Sequence, residues 1–301
     1  MKILVINISN IGDIVSSLSV VNFLVQKYER VDFYTLKVFA KLLEDENGLY
    51  LKPFEEIKKI EYDMVFDLTS SKSSRKILKY INAKKVYGYH KSLLNKFLYW
   101  KIYTKTYPKN KFKNITKDFF PILDDFIDDY DNLELPKLSV TNVKKELDLI
   151  GIHLGARNPI RALPMPLVQD IVEYFGEKKY KIIIFGNDTE SIDFLKAQHN
   201  FITVFDGDLK ELKYLMKRLR LFIGPDSGPI HIASALDVES IAIYGPNLYS
   251  ISGPTNKNNK IKHVELDYSC RPCNQNKECK LKIQCLRNID FHRDIKPLLS
   301  L

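Results

Sequence analysis

The 301-residue chain has no apolar run approaching the ~18 residues that a membrane-spanning helix requires, which sets a transmembrane role aside. The opening MKILVINI carries one Lys and a brief apolar run with no small-residue cleavage site behind it. It reads as a first strand and not as a signal peptide, and the expected location is cytoplasmic. A strict Gly-x-Gly-x-x-Gly is missing, and with it the fingerprint of a dinucleotide cofactor. Short-period repeats and low-complexity tracts are also missing, which excludes solenoids and linker-like arrays. The most informative absence is of one sign of charge. From Lys72 to Lys117 the chain holds 14 Lys or Arg and no Asp or Glu, so that the overall +9 leaves the rest of the chain net negative. Tyr80, Tyr87, Tyr89, Phe97, Tyr99, Trp100, Tyr103, Tyr107 and Phe112 are interleaved with these charges, and the acidic run from Asp118 to Glu134 follows directly. Such a segment suits an anionic partner, whether nucleic acid, a membrane surface or an acidic substrate. A solvated lysine-rich face is the plainer alternative.

What is present describes an ordinary soluble globular protein: 45% apolar and 28% charged residues, at a length that accommodates two domains. In the first half, strands are expected at Lys2 to Ile8, Val31 to Leu36, Asp63 to Leu68 and Val86 to Tyr89. Helices are expected at Ile14 to Tyr28, Ser73 to Tyr80 and, amphipathic with aromatics on one side, Leu93 to Tyr103. In the second half, strands at Leu149 to Leu154, Tyr180 to Phe185, Phe201 to Val204, Leu221 to Ile223 and Ser240 to Tyr244 alternate with helices at Leu167 to Phe175, Thr189 to Gln198, Leu209 to Leu219 and Ile230 to Leu236. Strands and helices alternating at these lengths predict an α/β protein with parallel sheets and crossover helices. Two blocks joined near Pro136 to Lys145 predict two Rossmann-like domains facing a central cleft: 1–143, and 144–301 with a Cys-rich tail whose final helix is a candidate to pack back on the first domain.

Four stretches carry candidate chemistry. In SNIGDIV, Gly12 permits a tight turn and Asp13 falls at or just before a helix start, either as a cap or as an ionised carboxylate able to take a proton from an attacking hydroxyl. In GIHLGARNPIRALP, Arg157 and Arg161 follow a strand end and suit a diphosphate, since the guanidinium fork pairs with two phosphate oxygens at once. His153 in the same stretch alternates along the strand and reads as a core or supporting residue. In FGNDTES, Glu190 is either a ribose ligand or a favourable first-turn acid. In FIGPDSGPIHIASA, Asp226 and Ser227 are N-cap types, Gly228 allows close backbone approach, and Pro229 suits the first helical position. The stretch is either a well-capped helix or a phosphate site at a helix N-terminus. All four cysteines, Cys270, Cys273, Cys279 and Cys285, lie within 16 residues, a clustering that in a reducing compartment favours a structural, fully liganded Zn or Fe site over disulfides, with free thiols also open.

Taken together, SNIGD near the N-terminus, G-A-R-x-x-x-R-x-L-P in mid-chain, D-S-G-P-x-H, Y-G-P and the C-x-x-C tail ending in CLRNI resemble the family 9 glycosyltransferases, the ADP-heptose:lipopolysaccharide heptosyltransferases. The resemblance implies a GT-B fold, an acceptor-binding first domain, a nucleotide-sugar-binding second domain, and an inverting transfer that needs no cofactor or metal. It implies that Asp13 is the general base and that Arg157, Arg161, Glu190, Asp226, Ser227, Gly228 and His231 hold ADP-heptose. The family's lysine falls on Arg161, and Leu163 stands where the family has Trp. Gly12, Arg75 and Lys76 are then candidates to hold an anionic lipopolysaccharide-core acceptor at the inner face of the cytoplasmic membrane, and no nucleic-acid partner is expected. Another nucleotide sugar or a protein acceptor is the alternative within the family; a nucleic-acid-binding protein using the basic segment is the alternative outside it.

Overall fold

The computed structural model describes residues 1–109, 111–186, 188–255, 260–273 and 279–299. The chain divides into two compact units, Met1–Ser139 and Val140–Leu301. In the first, the elements run β1 (Ile3–Ile6), α1 (Ile11–Ser16), α2 (Leu18–Tyr28), β2 (Val31–Tyr34), α3 (Lys37–Ala40), β3 (Leu49–Leu51), α4 (Phe54–Ile57), β4 (Glu61–Asp67), α5 (Lys72–Leu78), β5 (Asn82–His90), α6 (Leu93–Leu98) and β6 (Lys105–Pro108). The described strands form one sheet in the order β3-β2-β1-β4-β5-β6, parallel throughout. The chain leaves β1 toward β2 and β3, then returns to the other side of β1 with β4. Between β1 and β4 the order reverses, and the loops leaving their carboxyl ends open a crevice there, the usual ligand position in such sheets.

The second unit repeats the plan. Its elements are β7 (Leu149–His153), α7 (Met165–Glu177), β8 (Lys181–Phe185), α8 (Thr189–Gln198), β9 (Ile202–Val204), α9 (Leu209–Arg218), β10 (Leu221–Pro225), α10 (Gly228–Ala235), β11 (Ser240–Tyr244), α11 (Tyr249–Ser252), β12 (Ile261–Glu265) and α12 (Gln284–Arg287). The sheet order is β12-β11-β10-β7-β8-β9, and the switch point lies between β7 and β10. Apolar strands such as LIGIH, LFIGP and SIAIY are buried on both faces, as parallel strands covered by crossover helices must be. The core of this unit gathers Ile150, Ile152, Val168, Ile171, Phe175, Ile184, Ile223 and Ile243. Phe291 and Ile295, from the terminal segment expected to reach the first domain, are fully buried in this same cluster.

Three departures from the sequence expectation have local causes. The single helix expected over Ile14 to Tyr28 begins earlier and breaks at Ser17, whose hydroxyl donates to the Ile14 carbonyl at 2.8 Å and accepts from Asn7 Nδ2 at 3.0 Å. A side chain that bonds back into its own turn competes with the helical ladder. The strands β3, β6 and β12 were not expected, because LYL is only three residues long and the edge strands KTYP and IKHVE lack a continuous apolar run. The helix expected to reach Tyr103 stops at Leu98 and continues as turns.

Gly88 of β5 packs closely against Tyr103. A Cβ at position 88 would lie 2.3 Å from Tyr103 Cε1 and 2.9 Å from Ser70 Oγ. Gly88→Ala must displace the Tyr103 ring, and overpacking of this kind costs about 1–3 kcal/mol. Urea unfolding should show that loss; an unchanged midpoint would mean that Tyr103 moves aside freely.

Candidate active site

In the first unit the site is built on the loops after β1, β4 and β6. Asn7 ends the first strand and holds its own loop: its Oδ1 accepts from Ser9 N–H at 3.1 Å. Across the switch point, Thr69 Oγ1 accepts from Ile8 N–H at 2.8 Å, tying that loop to the end of β4. The path into α1 is therefore fixed, and α1 begins at Ile11, one residue before Gly12. Gly12 thus lies inside the helix and not in a tight turn ahead of it, and Asp13 occupies the third helical position. There its carboxylate takes a hydrogen bond from the Asn10 backbone, the acidic half of a capping box. Capping and chemistry are not exclusive here. Burial pushes the Asp13 carboxyl above the ordinary aspartate value, while Lys109 and the Asn10 N–H pull it back.

Lys109 is the residue that sequence reading missed; it was one charge among fourteen in the basic segment. It directly follows β6, where its N–H donates to the His90 carbonyl at 3.0 Å. Its Nζ sits 5.1 Å from the Phe119 ring centroid and 5.4 Å from that of Tyr89. Burial lowers the Lys109 pKa, and Asp13 is the largest opposing influence. Only the order of β1, β4, β5 and β6 in the sheet brings positions 13 and 109 together.

Beneath them lies Asp67, fully buried at the end of β4. Tyr103 Oη donates to it at 2.6 Å and Ser74 Oγ at 2.7 Å, and the N–H groups of Ser70 and Thr69 donate at 2.8 and 3.1 Å. Burial raises its pKa against those hydrogen bonds. Arg75 is held inward, donating to the Ser70 carbonyl at 2.9 Å and stacking 4.3 Å from the Tyr99 ring centroid, whereas Lys76 is exposed on α5.

In the second unit the loops after β7, β10 and β11 converge on Asp226. Arg161 Nη1 donates to its Oδ2 at 3.2 Å and Asn247 Nδ2 at 2.5 Å. Asn247 was not singled out in the sequence; it directly follows the Y-G-P motif, and that was the available signal. Arg161 Nε is buried and has no hydrogen-bond partner among the described residues, a costly state for a guanidinium donor. His231 lies one turn into α10, buried, and burial pushes its pKa down to about 4, so the ring is neutral near pH 7. Ser227 occupies the N-cap position but does not cap: its hydroxyl donates back to the Pro225 carbonyl at 3.1 Å. Gly228 opens α10 directly after it. Arg157 is exposed on the loop after β7, and Glu190 is exposed in the first turn of α8. His153 is a supporting residue as expected, its Nδ1 3.0 Å from the Phe185 carbonyl. Leu163 is buried in the core of the unit.

The four cysteines are unpaired. Burial raises the thiol pKa of Cys273 and of Cys285. Among the described residues no three Cys, His, Asp or Glu are gathered to hold a metal, and residues 274–278 of this loop lie outside them. What visibly anchors the tail is Arg271, between the first two cysteines. Its nearly buried guanidinium donates to the carbonyls of Gly245, Leu266 and Asn247 and pairs with Glu265 at 2.9 Å. The tail thereby supports the loop that carries Asn247.

The neutral His231 sets a pH dependence. Its pKa is near 6.5 unfolded and about 4 folded, so the unfolded state binds the extra proton between those values. Stability of the second unit should fall as pH drops from about 6.5 to about 4, by an order of 3 kcal/mol from this group. Thermal melts of His231→Asn, compared with the parent across that window, should show a shallower slope; equal slopes would exclude His231 as the source.

Comparison with known proteins gives a consistent result. The family model for glycosyltransferase family 9 (heptosyltransferase) matches residues 50–284. Lipooligosaccharide heptosyltransferase 2 of Campylobacter jejuni is 37% identical over 82 residues, a stretch covering 27% of this chain and 25% of that protein. Lipopolysaccharide heptosyltransferase 1 of Campylobacter coli is 26% identical over 294 residues, covering 81% of this chain and 84% of that protein. The solved structure of Escherichia coli ADP-heptose lps heptosyltransferase II shares the fold, with a TM-score of 0.74 at 18% identity over 89% of this chain and 91% of that one. With a family model spanning most of its length and two parallel α/β units of matching fold, the chain belongs to glycosyltransferase family 9, the heptosyltransferase family.

Proposed function

We propose that the protein transfers heptose from ADP-heptose to a sugar hydroxyl of a lipopolysaccharide-core acceptor, with inversion at the anomeric carbon. The observation that carries this reading is the Arg161–Asp226–Asn247 cluster beside the start of α10, with one guanidinium donor left unpartnered. A diphosphate at that helix start would meet backbone N–H groups and the positive end of the helix dipole, and its oxygens would satisfy Arg161 Nε. Relatives named as lipooligosaccharide and lipopolysaccharide heptosyltransferases, and a structural neighbour named as an ADP-heptose lps heptosyltransferase, support the same donor and acceptor class.

In this mechanism Asp13 accepts the proton of the acceptor hydroxyl as its oxygen attacks the anomeric carbon. The bond from that carbon to the diphosphate oxygen breaks, and ADP leaves with the bonding pair. Arg161 stabilises the charge that builds on the departing diphosphate, the role a divalent cation serves in other transferases. We therefore expect turnover without any added divalent cation, and a requirement for one would overturn this role of Arg161. The cysteine tail enters the proposal only as a structural Zn or Fe site, whose closure would draw the four thiols together; elemental analysis of freshly purified protein tests it, and a metal-free result would remove it.

Calorimetry of ADP against UDP, GDP and CMP tests the donor. Selective ADP binding, weakened in Arg161→Lys and lost in a folded Arg161→Ala, is the expected outcome, and binding of UDP or GDP in its place would overturn the heptose assignment. Asp13→Asn should lower kcat by about 10²–10⁴ with ADP affinity unchanged. Because burial raises the Asp13 pKa, kcat/KM should fall on acidification through a limb lying above the ordinary aspartate value. Removing the neighbouring cation in Lys109→Met should move that limb to higher pH; a limb that stays in place would mean that Lys109 does not act on the base.

A further inference from the structure

The densest run of exposed apolar side chains in the first unit belongs to α6 and the turn after it. Leu93, Leu94, Phe97, Leu98 and Trp100 are 59–81% exposed. At ~100° per residue, Leu93, Phe97 and Trp100 recur at i, i+4 and i+7, and Leu94 and Leu98 lie beside them on one arc. The inward face of the same segment is accounted for: Tyr99 and Ile102 pack on the core, and Tyr99 also receives the Arg75 guanidinium at 4.3 Å. Ser92 caps the helix by accepting from Asn95 N–H at 3.2 Å, so the turn is formed without the outer arc having to pack. Isolated exposed apolar residues are ordinary, but five within eight positions form a patch.

The charges around the patch identify what covers it. Lys91, Lys96 and Lys101 flank the arc and are exposed, and the surrounding sequence from Lys72 to Lys117 has no acidic residue. A second copy docked about a twofold axis would set these lysines against their own equivalents, which opposes self-association. Nucleic acid would use the lysines but has no use for exposed leucines. An anionic lipid surface uses both: aliphatic side chains enter the acyl boundary, Trp sits at the headgroup level, and lysines meet the phosphates. Among the described residues no helix is long and apolar enough to cross a membrane, so the contact is superficial.

We propose that α6 with its flanking lysines is an interfacial anchor that seats the first unit on an anionic lipid bilayer. The anchor goes beyond the transferase reading and does not depend on which sugar hydroxyl accepts the heptose. Trp100 is the sole tryptophan of the chain, so its emission reports directly on the patch. Full-length protein should float with vesicles of phosphatidylglycerol and phosphatidylcholine, with a blue shift of Trp100 emission, and should bind phosphatidylcholine alone at least tenfold more weakly. Leu94→Ser/Phe97→Ser should reduce binding to the anionic vesicles at least tenfold while leaving ADP affinity and melting temperature unchanged. If that pair impairs folding, Lys96→Glu/Lys101→Glu supplies the charge arm, with a loss of similar size at low salt. Absence of flotation, binding undiminished in both variants, or a Trp100 shift that follows protein concentration without vesicles would each overturn the proposal, the last in favour of a second copy. Retained ADP binding separates any such failure from failure of the transferase reading.

Discussion

A carboxylate buried at the end of a parallel strand needs hydrogen-bond donors from beyond that strand, because the strand's own N–H groups are taken up by the sheet. Asp67 does this in the first unit, drawing on Tyr103, Ser74, Ser70 and Thr69. Asp226 does it in the second, drawing on Arg161 and Asn247. Asp67 thereby ties the segment after its own strand to the turn that follows α6, and Asp226 ties together the loops after β7, β10 and β11. Without those bonds the segments after β4 and α6, or the loops after β7 and β11, would have no common reference. Arg161 and Asn247, which face the start of α10, sit on loops held in this way by Asp226.

The basic segment shows how a uniform sequence property is divided by folding. Lys84 and Lys105 go to surface pairs with Asp63 and Asp125, contacts worth little in solvent. Arg75 turns inward onto a carbonyl and an aromatic ring. Lys109 is half-buried near Asp13, where its charge acts on a candidate base. The remaining lysines around α6 border an apolar arc. One compositional feature thus serves a base, a loop and a surface, and the division follows position in the sheet order.

The Cys-rich tail illustrates a similar displacement of attention. Its cysteines stand out in the sequence, but the interactions seen in the fold are those of Arg271, which joins the ends of β11 and β12 to the loop of Asn247. A buried guanidinium with four acceptors is stable where an unpaired one would not be.

Sequence alone determined what depends on local pattern. The alternation of apolar strands and helices predicted α/β units, most core strands to within a few residues, the helix Thr189–Gln198 in full, and the motif segments after β7 and β10 that bear Arg161 and Asp226. Apolar periodicity and cap chemistry act over a few residues, so they can be read in order along the chain. Tertiary structure alone decided which distant residues meet. Lys109 beside Asp13 and Asn247 on Asp226 depend on strand order, and the edge strands depend on a neighbour to pair with. The break at Ser17 depends on Asn7, ten residues away. These are contacts between elements whose adjacency is set by how the sheet is wound, and a linear pattern carries no record of winding.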